Sequence, residues 1–369
     1  MSPVQRYQHD IEHNGYEEDP AQLAAVNALT LLFDEFKQYL HFKPEPLSMM
    51  QKLLGKKEQI ATPPQGLYMW GGVGRGKTYL MDTFFHALPA EEKMRVHFHR
   101  FMYQVHDELG ELKDTANPLD VIAQRLAERV KIICFDEFYV SDITDAMILS
   151  TLFNALFSHG VVLVATSNIP PQELYRNGLQ RARFLPTIAL IEQHCHVLNV
   201  DNGVDFRLRT LEQAEIYHFP LDKQATDNLN QYFCDLTPNC TPCQVIKEVE
   251  VNHRLLQVEG SCEGVLHASF AQLCESARSQ NDYIELSRYY HTVLLSDVKQ
   301  MGQTNDDAAR RFIALVDEFY ERNVTLIISA EVAIDDLYIE GQLSFEFKRC
   351  KSRLVEMQSH DYLTQEHLA

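Results

Sequence analysis

The sequence has no apolar run long enough to cross a membrane, since a spanning helix needs about 20 such residues. Its first residues, Met1 to Arg6, contain no apolar core for export, and the acidic residues that follow are atypical of a transit peptide. Basic residues are not in excess, because the formal net charge is −19 and the pI is about 5.2. A field of that sign repels nucleic acid. We therefore expect a cytoplasmic protein that lacks a transmembrane segment and does not bind nucleic acid stably.

The eight cysteines are too few and too scattered to form a disulfide framework in a chain of 369 residues. Cys134 and Cys195 lie in apolar segments and are expected to be buried thiols. Cys240 and Cys243 form a C-x-x-C pair, but a zinc site needs two further ligands and no second pair has suitable spacing. A reduced surface loop around Cys240 is therefore favoured over a zinc site.

Residues 71–78 match the phosphate-binding pattern G-x-x-x-x-G-K-[ST] at every position, between an apolar strand pattern and a helical pattern. Glycines let backbone N–H groups approach phosphate oxygens, and the start of the helix adds its positive end. We expect Lys77 to bind the β- and γ-phosphates of ATP, and the Thr78 hydroxyl to bind Mg²⁺. A chance glycine-rich turn is the weaker alternative. The predicted nucleotide-binding residues are Gly71, Gly72, Val73, Gly74, Arg75, Gly76, Lys77 and Thr78.

A second apolar segment, residues 131–135, is followed directly by Asp136 and Glu137. Beside the P-loop strand, Asp136 would bind the Mg²⁺ shell, mostly through water. Glu137 would act as a general base that orients and polarises the attacking water. A further strand pattern ends just before Asn168, whose side chain is predicted to help hold that water. A helix cap formed by the acidic pair and a turn around Asn168 remain alternatives.

Phosphoryl transfer also needs positive charge near the transferred group, and four arginines are candidates. Arg181 and Arg183 lie in a segment that could reach the nucleotide of a neighbouring subunit. Arg349 and Arg353 are four residues apart and would share one face of a helix. A surface ion pair is the commoner role of any single arginine, so the sequence pattern leaves these assignments open.

Short β-branched segments alternate with helical patterns, which predicts an α/β fold with a parallel sheet covered by helices. Three regions are expected: an N-terminal helical segment (1–58), the P-loop core (59–205) and a C-terminal α/β region (206–369). Residues 1–18 are polar and are expected to be loosely ordered. A helix is predicted after Asp19, with Asp19 and Gln22 forming a pair that resembles a capping box.

The C-terminal region contains an internal similarity to the core. Residues 292–338 repeat the order of strand, acidic residue, helix and strand that is present in residues 132–175. The shared geometry of all β-α-β units is favoured over a true repeat as the explanation. The second copy has no P-loop and is not expected to hydrolyse nucleotide.

From about residue 20 to its end, the sequence resembles the ZapE cell-division ATPases. The segments that carry this resemblance are long and unusual, and they comprise residues 66–78, 97–102, 134–138, 165–171, 178–186, 308–320 and 352–354. The resemblance implies an AAA+-type P-loop ATPase of the bacterial cytoplasm. It further implies recruitment to the division site, binding of FtsZ and a reduced stability of FtsZ polymers when ATP is present.

The resemblance also implies roles for individual residues. Residues 71–78 correspond to the Walker A loop, Asp136 and Glu137 to the Walker B acids, and Asn168 to the sensor on the fourth strand. Arg181, or less closely Arg183, corresponds to an arginine finger that a neighbouring subunit supplies, which implies a homo-oligomer. Arg353, or less closely Arg349, corresponds to the sensor arginine of the C-terminal lid helices. Nothing functional is carried over to the N-terminal segment or to residues 211–262.

Three other functions are weighed against this one. An AAA+ loader or motor acting on nucleic acid or on other protein clients is disfavoured by the negative charge, at least for nucleic acid. A P-loop kinase is disfavoured because the second acid and the paired arginines favour water as the acceptor. A non-catalytic membrane adaptor would have no need of a complete hydrolytic motif set.

Overall fold

The chain forms two compact units, Met1–Val204 and Asp205–Ala369. The computed structural model describes residues 1–14, 19–42, 61–72, 75–89, 91–113, 115–140, 142–201, 211, 214–237, 240, 245–365 and 367–368. The domain boundaries predicted at 58/59 and 205/206 lie outside these residues. None of the helices in the described ranges is both long and apolar enough to span a bilayer.

The first unit is built around a five-stranded parallel sheet with the order β2-β3-β4-β1-β5. Its strands are β1 (Gly66–Trp70), β2 (Lys93–His97), β3 (Ile132–Asp136), β4 (Val162–Ser167) and β5 (Cys195–Asn199). Its helices are α1 (Pro3–Asn14), α2 (Pro20–His41), α3 (Lys77–Ala87), α4 (Phe98–Glu111), α5 (Pro118–Arg129), α6 (Ile143–Ser158) and α7 (Leu185–His194). The predicted α/β fold, a parallel sheet flanked by helices, is confirmed.

The position of β4 in this sheet brings the predicted functional segments together. β4 lies between β1, which leads into the P-loop, and β3, which ends in the acidic pair. Trp70 pairs with Ser167 in the register of β1 and β4, so these strands end side by side. Ligands of open α/β sheets bind at the carboxyl ends of the strands, because the loops that follow them converge there.

Alternate residues of the buried strands face two different cores, as the period of two in a strand requires. On β1, Tyr68 belongs to an aromatic cluster with Phe98, Phe135 and Phe138 on one side of the sheet. The neighbouring residues of Tyr68 contribute to a second core beneath α1, α2 and α3. Both faces of the central strands are therefore apolar, which explains their unbroken hydrophobic pattern.

The expectation that residues 1–18 are loosely ordered was wrong for the part that the structure describes, because residues 3–14 form α1. Tyr7 is buried, and its hydroxyl oxygen accepts the backbone N–H of Asp19 at 3.1 Å. Tyr79 on α3 donates its hydroxyl to Asp10 Oδ2 at 2.8 Å. These tertiary contacts stabilise a helix that a polar sequence alone does not predict. Residues 15–18 lie outside the described ranges.

The second unit contains a six-stranded mixed sheet with the order β6-β11-β10-β9-β8-β7. Its strands are β6 (Tyr217–His218), β7 (Ile246–Val251), β8 (Arg254–Cys262), β9 (Val265–Ser269), β10 (Thr292–Val298) and β11 (Thr325–Ala330). Its helices are α8 (Lys223–Leu236), α9 (Gln280–Tyr289), α10 (Asp306–Glu321), α11 (Ser344–Glu356) and α12 (His360–Leu363). β7 and β8 form an antiparallel hairpin, and β7 is half exposed, as its alternating pattern predicts.

The first four strands of this sheet repeat the arrangement of the first unit. The parallel order β6-β11-β10-β9 matches β1-β4-β3-β2, and α8 follows β6 as α3 follows β1. The backbone is also alike at the ends of β3 and β10. Glu137 has φ 52° and donates its N–H to Thr166, whereas Asp297 has φ 61° and donates its N–H to Ser329. The geometry of a single β-α-β unit does not account for this four-strand similarity.

Cysteine pairing differs from the expectation at one position. Cys240 forms a disulfide with Cys262, 22 residues away, so the prediction of a reduced loop at Cys240 was wrong. The pairing joins residues on either side of the β7–β8 hairpin, a juxtaposition that spacing along the chain does not reveal. Cys243 lies outside the described residues. Cys134 and Cys195 are buried thiols, as predicted.

Candidate active site

The P-loop joins the end of β1 to the start of α3. Gly76 adopts φ 76°, a conformation that favours glycine, and a Cβ there would lie 2.6 Å from Gln22 Nε2. Lys77 Nζ donates to the carbonyl oxygens of Gly71 and Gly72, both at 2.6 Å, so its charge lies inside the loop. Within the described residues, no side chain caps the start of α3. Uncapped N–H groups and a positive helix end suit an anion.

The P-loop residues Val73 and Gly74 lie outside the described residues. Two residues that the sequence did not identify as neighbours, Asp201 and Gln22, contact the described part of the P-loop. Asp201, two residues after β5, contacts Gly72 N at 3.3 Å and Arg75 Nε at 2.9 Å. Gln22 does not complete a capping box, because the backbone N–H of Asp19 is donated to the Tyr7 hydroxyl instead. The Nε2 of Gln22 donates to the carbonyl oxygen of Arg75 at 3.5 Å. The N-terminal helices therefore contact the P-loop directly.

The end of β4 links the P-loop to the acidic pair. Ser167 accepts the N–H of Gly71 at 3.2 Å through its carbonyl oxygen, and its hydroxyl donates to the carbonyl oxygen of Phe138 at 2.7 Å. Glu137 occupies the left-handed region, which is costly for a residue with a side chain, and its N–H donates to Thr166 Oγ1 at 3.2 Å. The hydrogen bond to Thr166 holds the backbone of Glu137 in this conformation.

Burial and the neighbouring residue His97 have opposite effects on the pKa of Glu137. Burial raises the pKa of the Glu137 carboxyl above its usual value, and His97 opposes this rise. His97 Nδ1 lies 3.8 Å from Glu137 Oε2, because β2 pairs with β3 so that His97 stands opposite Asp136. The sequence pattern around His97 does not indicate this contact. A carboxylate with a raised pKa is a stronger base than one in water.

Asp136 is held by Arg95, a second residue that the sequence did not identify. Arg95 Nε and Nη2 donate to Asp136 Oδ2 and Oδ1 at 2.7 and 3.2 Å, and Nη1 donates to Asp82 on α3. Burial disfavours the charge of Arg95, but the two carboxylates outweigh it, so its pKa is raised. A charged residue on a strand within a buried sheet was the only signal available.

The other predicted site residues lie at the same edge of the sheet. Thr78 is in the first turn of α3, and Asn168 directly follows β4; both side chains are partly exposed. In the described parts of the chain, no cluster of three or more metal-binding side chains occurs. Mg²⁺ needs no such cluster, since it commonly takes one or two protein oxygens with phosphate and water. A hydroxyl and a carboxylate beside a P-loop therefore fit Mg²⁺ and ATP.

The two candidates for the arginine finger differ in their surroundings. Both belong to a short 3₁₀ turn, Arg181–Arg183, that precedes α7. Arg181 is partly buried, and its Nη2 donates to the carbonyl oxygen of Gln172 at 2.6 Å. Arg183 is exposed, and its Nη1 donates to Oε1 of Gln180, three residues earlier, at 3.2 Å. Arg183 can therefore move with less loss of contacts than Arg181.

The two candidates for the lid arginine, Arg349 and Arg353, both contact Asp317. They therefore lie on one face of α11, as their spacing predicts. Arg353 Nη1 lies 2.7 Å from Asp317 Oδ1, and its Nη2 lies 2.6 Å from Glu321 Oε1. Its guanidinium also lies over the ring of Tyr320. All these contacts are within the second unit. A role for Arg353 in nucleotide sensing would require that it exchange them.

In the second unit, the segment between β6 and α8 has the position that the P-loop has in the first unit. The segment between β6 and α8 lacks the glycine-rich pattern, and Asp222 caps α8 by accepting the N–H of Ala225 at 2.8 Å. A carboxylate thus lies at the helix end where the first unit leaves N–H groups uncapped. That charge repels phosphate, so this position is unsuited to a nucleotide.

Known proteins resemble the chain to different degrees. The family model of the AFG1-like ATPases matches residues 1–366. The cell division protein ZapE of Escherichia coli K12 is 50% identical over 373 residues, covering 100% of this chain and 99% of that protein. Lactation elevated protein 1 homolog B of Danio rerio is 38% identical, covering 80% of this chain and 61% of that protein.

Among solved structures, domain III of the replication initiation protein DnaA from Thermotoga maritima is similar with a TM-score of 0.34 and 17% identity. That match covers 58% of this chain and 78% of the other. The order of the strands in the first sheet, and not this distant likeness, defines the fold. The match of the family model and the identity to full-length ZapE lead to one conclusion: the chain belongs to the AFG1-like ATPase family.

Proposed function

We propose that this protein hydrolyses ATP with Mg²⁺ at the carboxyl edge of its first sheet. The observation that carries the proposal is the arrangement around Ser167, whose hydrogen bonds join the start of the P-loop to the segment after Glu137. A phosphate-binding loop and a fixed carboxylate on adjoining strands are the parts that hydrolysis of a nucleoside triphosphate needs.

Each residue of the proposed site has a distinct part. The uncapped N–H groups at the start of α3 would face the phosphates, and Lys77 would offset the phosphate charge. Thr78 and Asp136 would hold Mg²⁺, which would neutralise the charge that develops on the phosphates. Glu137 takes a proton from the attacking water, and Asn168 helps to orient that water.

Positive charge from other segments would complete the site. We assign the trans-acting arginine to Arg181, with Arg183 as the alternative, and the lid arginine to Arg353, with Arg349 as the alternative. A residue supplied in trans requires a homo-oligomer. Mixing Arg181→Ala with Glu137→Gln subunits tests this, because a site with the base of the first variant and the finger of the second would be complete. Turnover that mixing fails to restore would contradict the role in trans, and Arg183→Ala tests the alternative.

The cellular role that we propose is in bacterial cell division. The protein would act in the cytoplasm, be recruited to the division site, bind FtsZ and reduce the stability of FtsZ polymers when ATP is present. Support comes from the resemblance to the ZapE ATPases and from the 50% identity to the cell division protein ZapE. Hydrolysis would change the contacts between subunits and thereby alter their binding to the FtsZ polymer.

Two experiments test these proposals separately. Glu137→Gln should leave ATP binding nearly intact and lower turnover by about a hundredfold, the usual scale for a general base. Asp297→Asn is a matched control, since Asp297 has the same backbone geometry in the second unit and should not affect turnover. Undiminished turnover in Glu137→Gln would refute the assignment of the base.

The division role is tested by sedimentation of purified FtsZ polymers with this protein. We expect less polymer in the pellet when ATP is present, and no such loss with Lys77→Ala, which should not bind the phosphates. An unchanged pellet with the active protein and ATP would contradict the proposed action on FtsZ while leaving the ATPase assignment intact.

A further inference from the structure

Arg95 contacts two carboxylates, Asp82 on α3 and Asp136 at the end of β3, and no step of the proposed hydrolysis uses it. Its side chain is 18% exposed, and the side chains of Asp82 and Asp136 are 17% and 10% exposed. Two N–H groups of Arg95 reach the two oxygens of Asp136, at 2.7 and 3.2 Å, and a third reaches Asp82. One guanidinium therefore serves two partly buried carboxylates.

The bidentate contact affects what Asp136 can offer a metal. A carboxylate has about four lone-pair sites, so two N–H bonds take half of them and also fix the plane of the group. The positive charge of Arg95 repels a cation that approaches the same oxygens. Arg95 thus aligns the carboxylate and, at the same time, weakens its attraction for a metal ion.

Asp82 modifies this balance. It lies on α3 four residues after Thr78, on the same face of the helix. Because Asp82 shares the guanidinium, it offsets part of the positive charge that acts on Asp136. Removing the charge of Asp82 should leave Arg95 bound to Asp136 alone and strengthen its opposing effect.

We propose that Arg95 is a positioning residue that aligns Asp136 and limits its affinity for Mg²⁺, and that Asp82 sets the strength of this restraint. The inference rests on the proposed metal role of Asp136. Its consequence is a metal that stays exchangeable, so that Mg²⁺ and product can leave after each turnover. A purely structural ion pair between β2, β3 and α3 would instead affect nucleotide binding equally with and without Mg²⁺.

The test is binding of the fluorescent nucleotide mant-ADP to the full chain, across a series of MgCl₂ concentrations and separately in EDTA. Arg95→Gln should lower the half-saturating Mg²⁺ concentration about tenfold, which corresponds to about 1.4 kcal/mol. Asp82→Asn should raise it about threefold, because the charge of Arg95 is then less compensated. Affinity in EDTA should stay within about twofold for both variants, since the restraint acts on the metal.

The double variant Arg95→Gln/Asp82→Asn separates an effect through Arg95 from a direct effect of Asp82. If Asp82 acts through Arg95, its substitution should change nothing further once Arg95 is absent. A further rise in the Mg²⁺ requirement would overturn the role given to Asp82.

Two results would overturn the role of Arg95: an unchanged or higher Mg²⁺ requirement in Arg95→Gln, or an equal change of affinity with Mg²⁺ and with EDTA. Arg95→Gln leaves two carboxylates facing each other; if it does not fold, Asp82→Asn decides, and an unchanged requirement there refutes the proposal. Unmodified protein whose nucleotide binding ignores Mg²⁺ would refute the metal role of Asp136 itself, which is a different outcome.

Discussion

Replacing His97 with Gln should shift the acid side of the pH profile of ATP turnover to higher pH. The proposed base Glu137 must be ionised to act, and burial already raises its pKa. At the acid end, where imidazoles carry a positive charge, His97 favours the ionised carboxylate. Removing that charge should raise the pKa of Glu137 further, so a higher pH is needed to reach the same turnover.

The expected size of the shift follows from the separation and exposure of the two groups. His97 Nδ1 and Glu137 Oε2 are 3.8 Å apart, and the side chains are 50% and 37% exposed. At about 4 Å, a pair of unit charges in water interacts by about 1 kcal/mol, and this exposure keeps the pair near that limit. One kcal/mol corresponds to about 0.7 pKa unit.

The assay is phosphate release at saturating ATP and Mg²⁺ between about pH 5 and pH 8, the range in which a raised carboxyl pKa would show. His196→Gln, the same change at an exposed position on β5, is the matched control and should leave the profile in place. An unmoved acid limb in His97→Gln, or one that moves to lower pH, would refute the electrostatic link between these residues.

Three further predictions follow from other contacts. Gln22→Ala should weaken mant-ADP binding about fivefold, because one hydrogen bond to the P-loop is lost; a fluorescence titration measures this, and unchanged affinity would contradict it. Arg254→Ala should lower the free energy of unfolding by about 2 kcal/mol in urea, since it leaves the fully buried Asp282 without its guanidinium partner. The pKa of Asp282 is lowered, so this loss should be present above its ordinary unfolded value of about pH 4 and fade below it; a pH-independent loss would argue against the ion pair. Calorimetry should find one nucleotide per chain and none with Lys77→Ala, whereas residual binding would point to a site in the second unit.

The sequence predicts the parts of the site that are continuous along the chain. The P-loop and the acids at the end of β3 follow from local patterns, and the predicted segment 131–135 overlaps β3 within the usual uncertainty of such bounds. Arg95 and His97 were missed as functional neighbours because their partners are about 40 residues away. Only the register of β2 against β3 brings them together, and a single sequence does not specify that register.

The errors of prediction have the same cause. Residues 3–14 are polar enough to suggest a loose segment, yet Tyr7 and Asp10 find partners in α2 and α3. Cys240 has its partner across a hairpin, at Cys262. Gln22 has a suitable cap position, but the N–H of Asp19 that it would accept is donated to Tyr7. In each case a contact distant in sequence outweighs the local pattern.

The two units have similar folds but differ at the start of one helix. This difference distinguishes the unit with the proposed nucleotide site from the unit without one. In both units, a short parallel strand leads into a helix: β1 leads into α3, and β6 leads into α8. β1 lies beside β4 in its sheet, as β6 lies beside β11. In the first unit Gly76 turns the chain and leaves the N–H groups of α3 uncapped by side chains within the described residues. In the second, Asp222 satisfies one of those N–H groups and adds a negative charge. Because a cap of this kind stabilises a helix by about 1 kcal/mol, a unit without a ligand gains from it, whereas a unit that binds phosphate must forgo it.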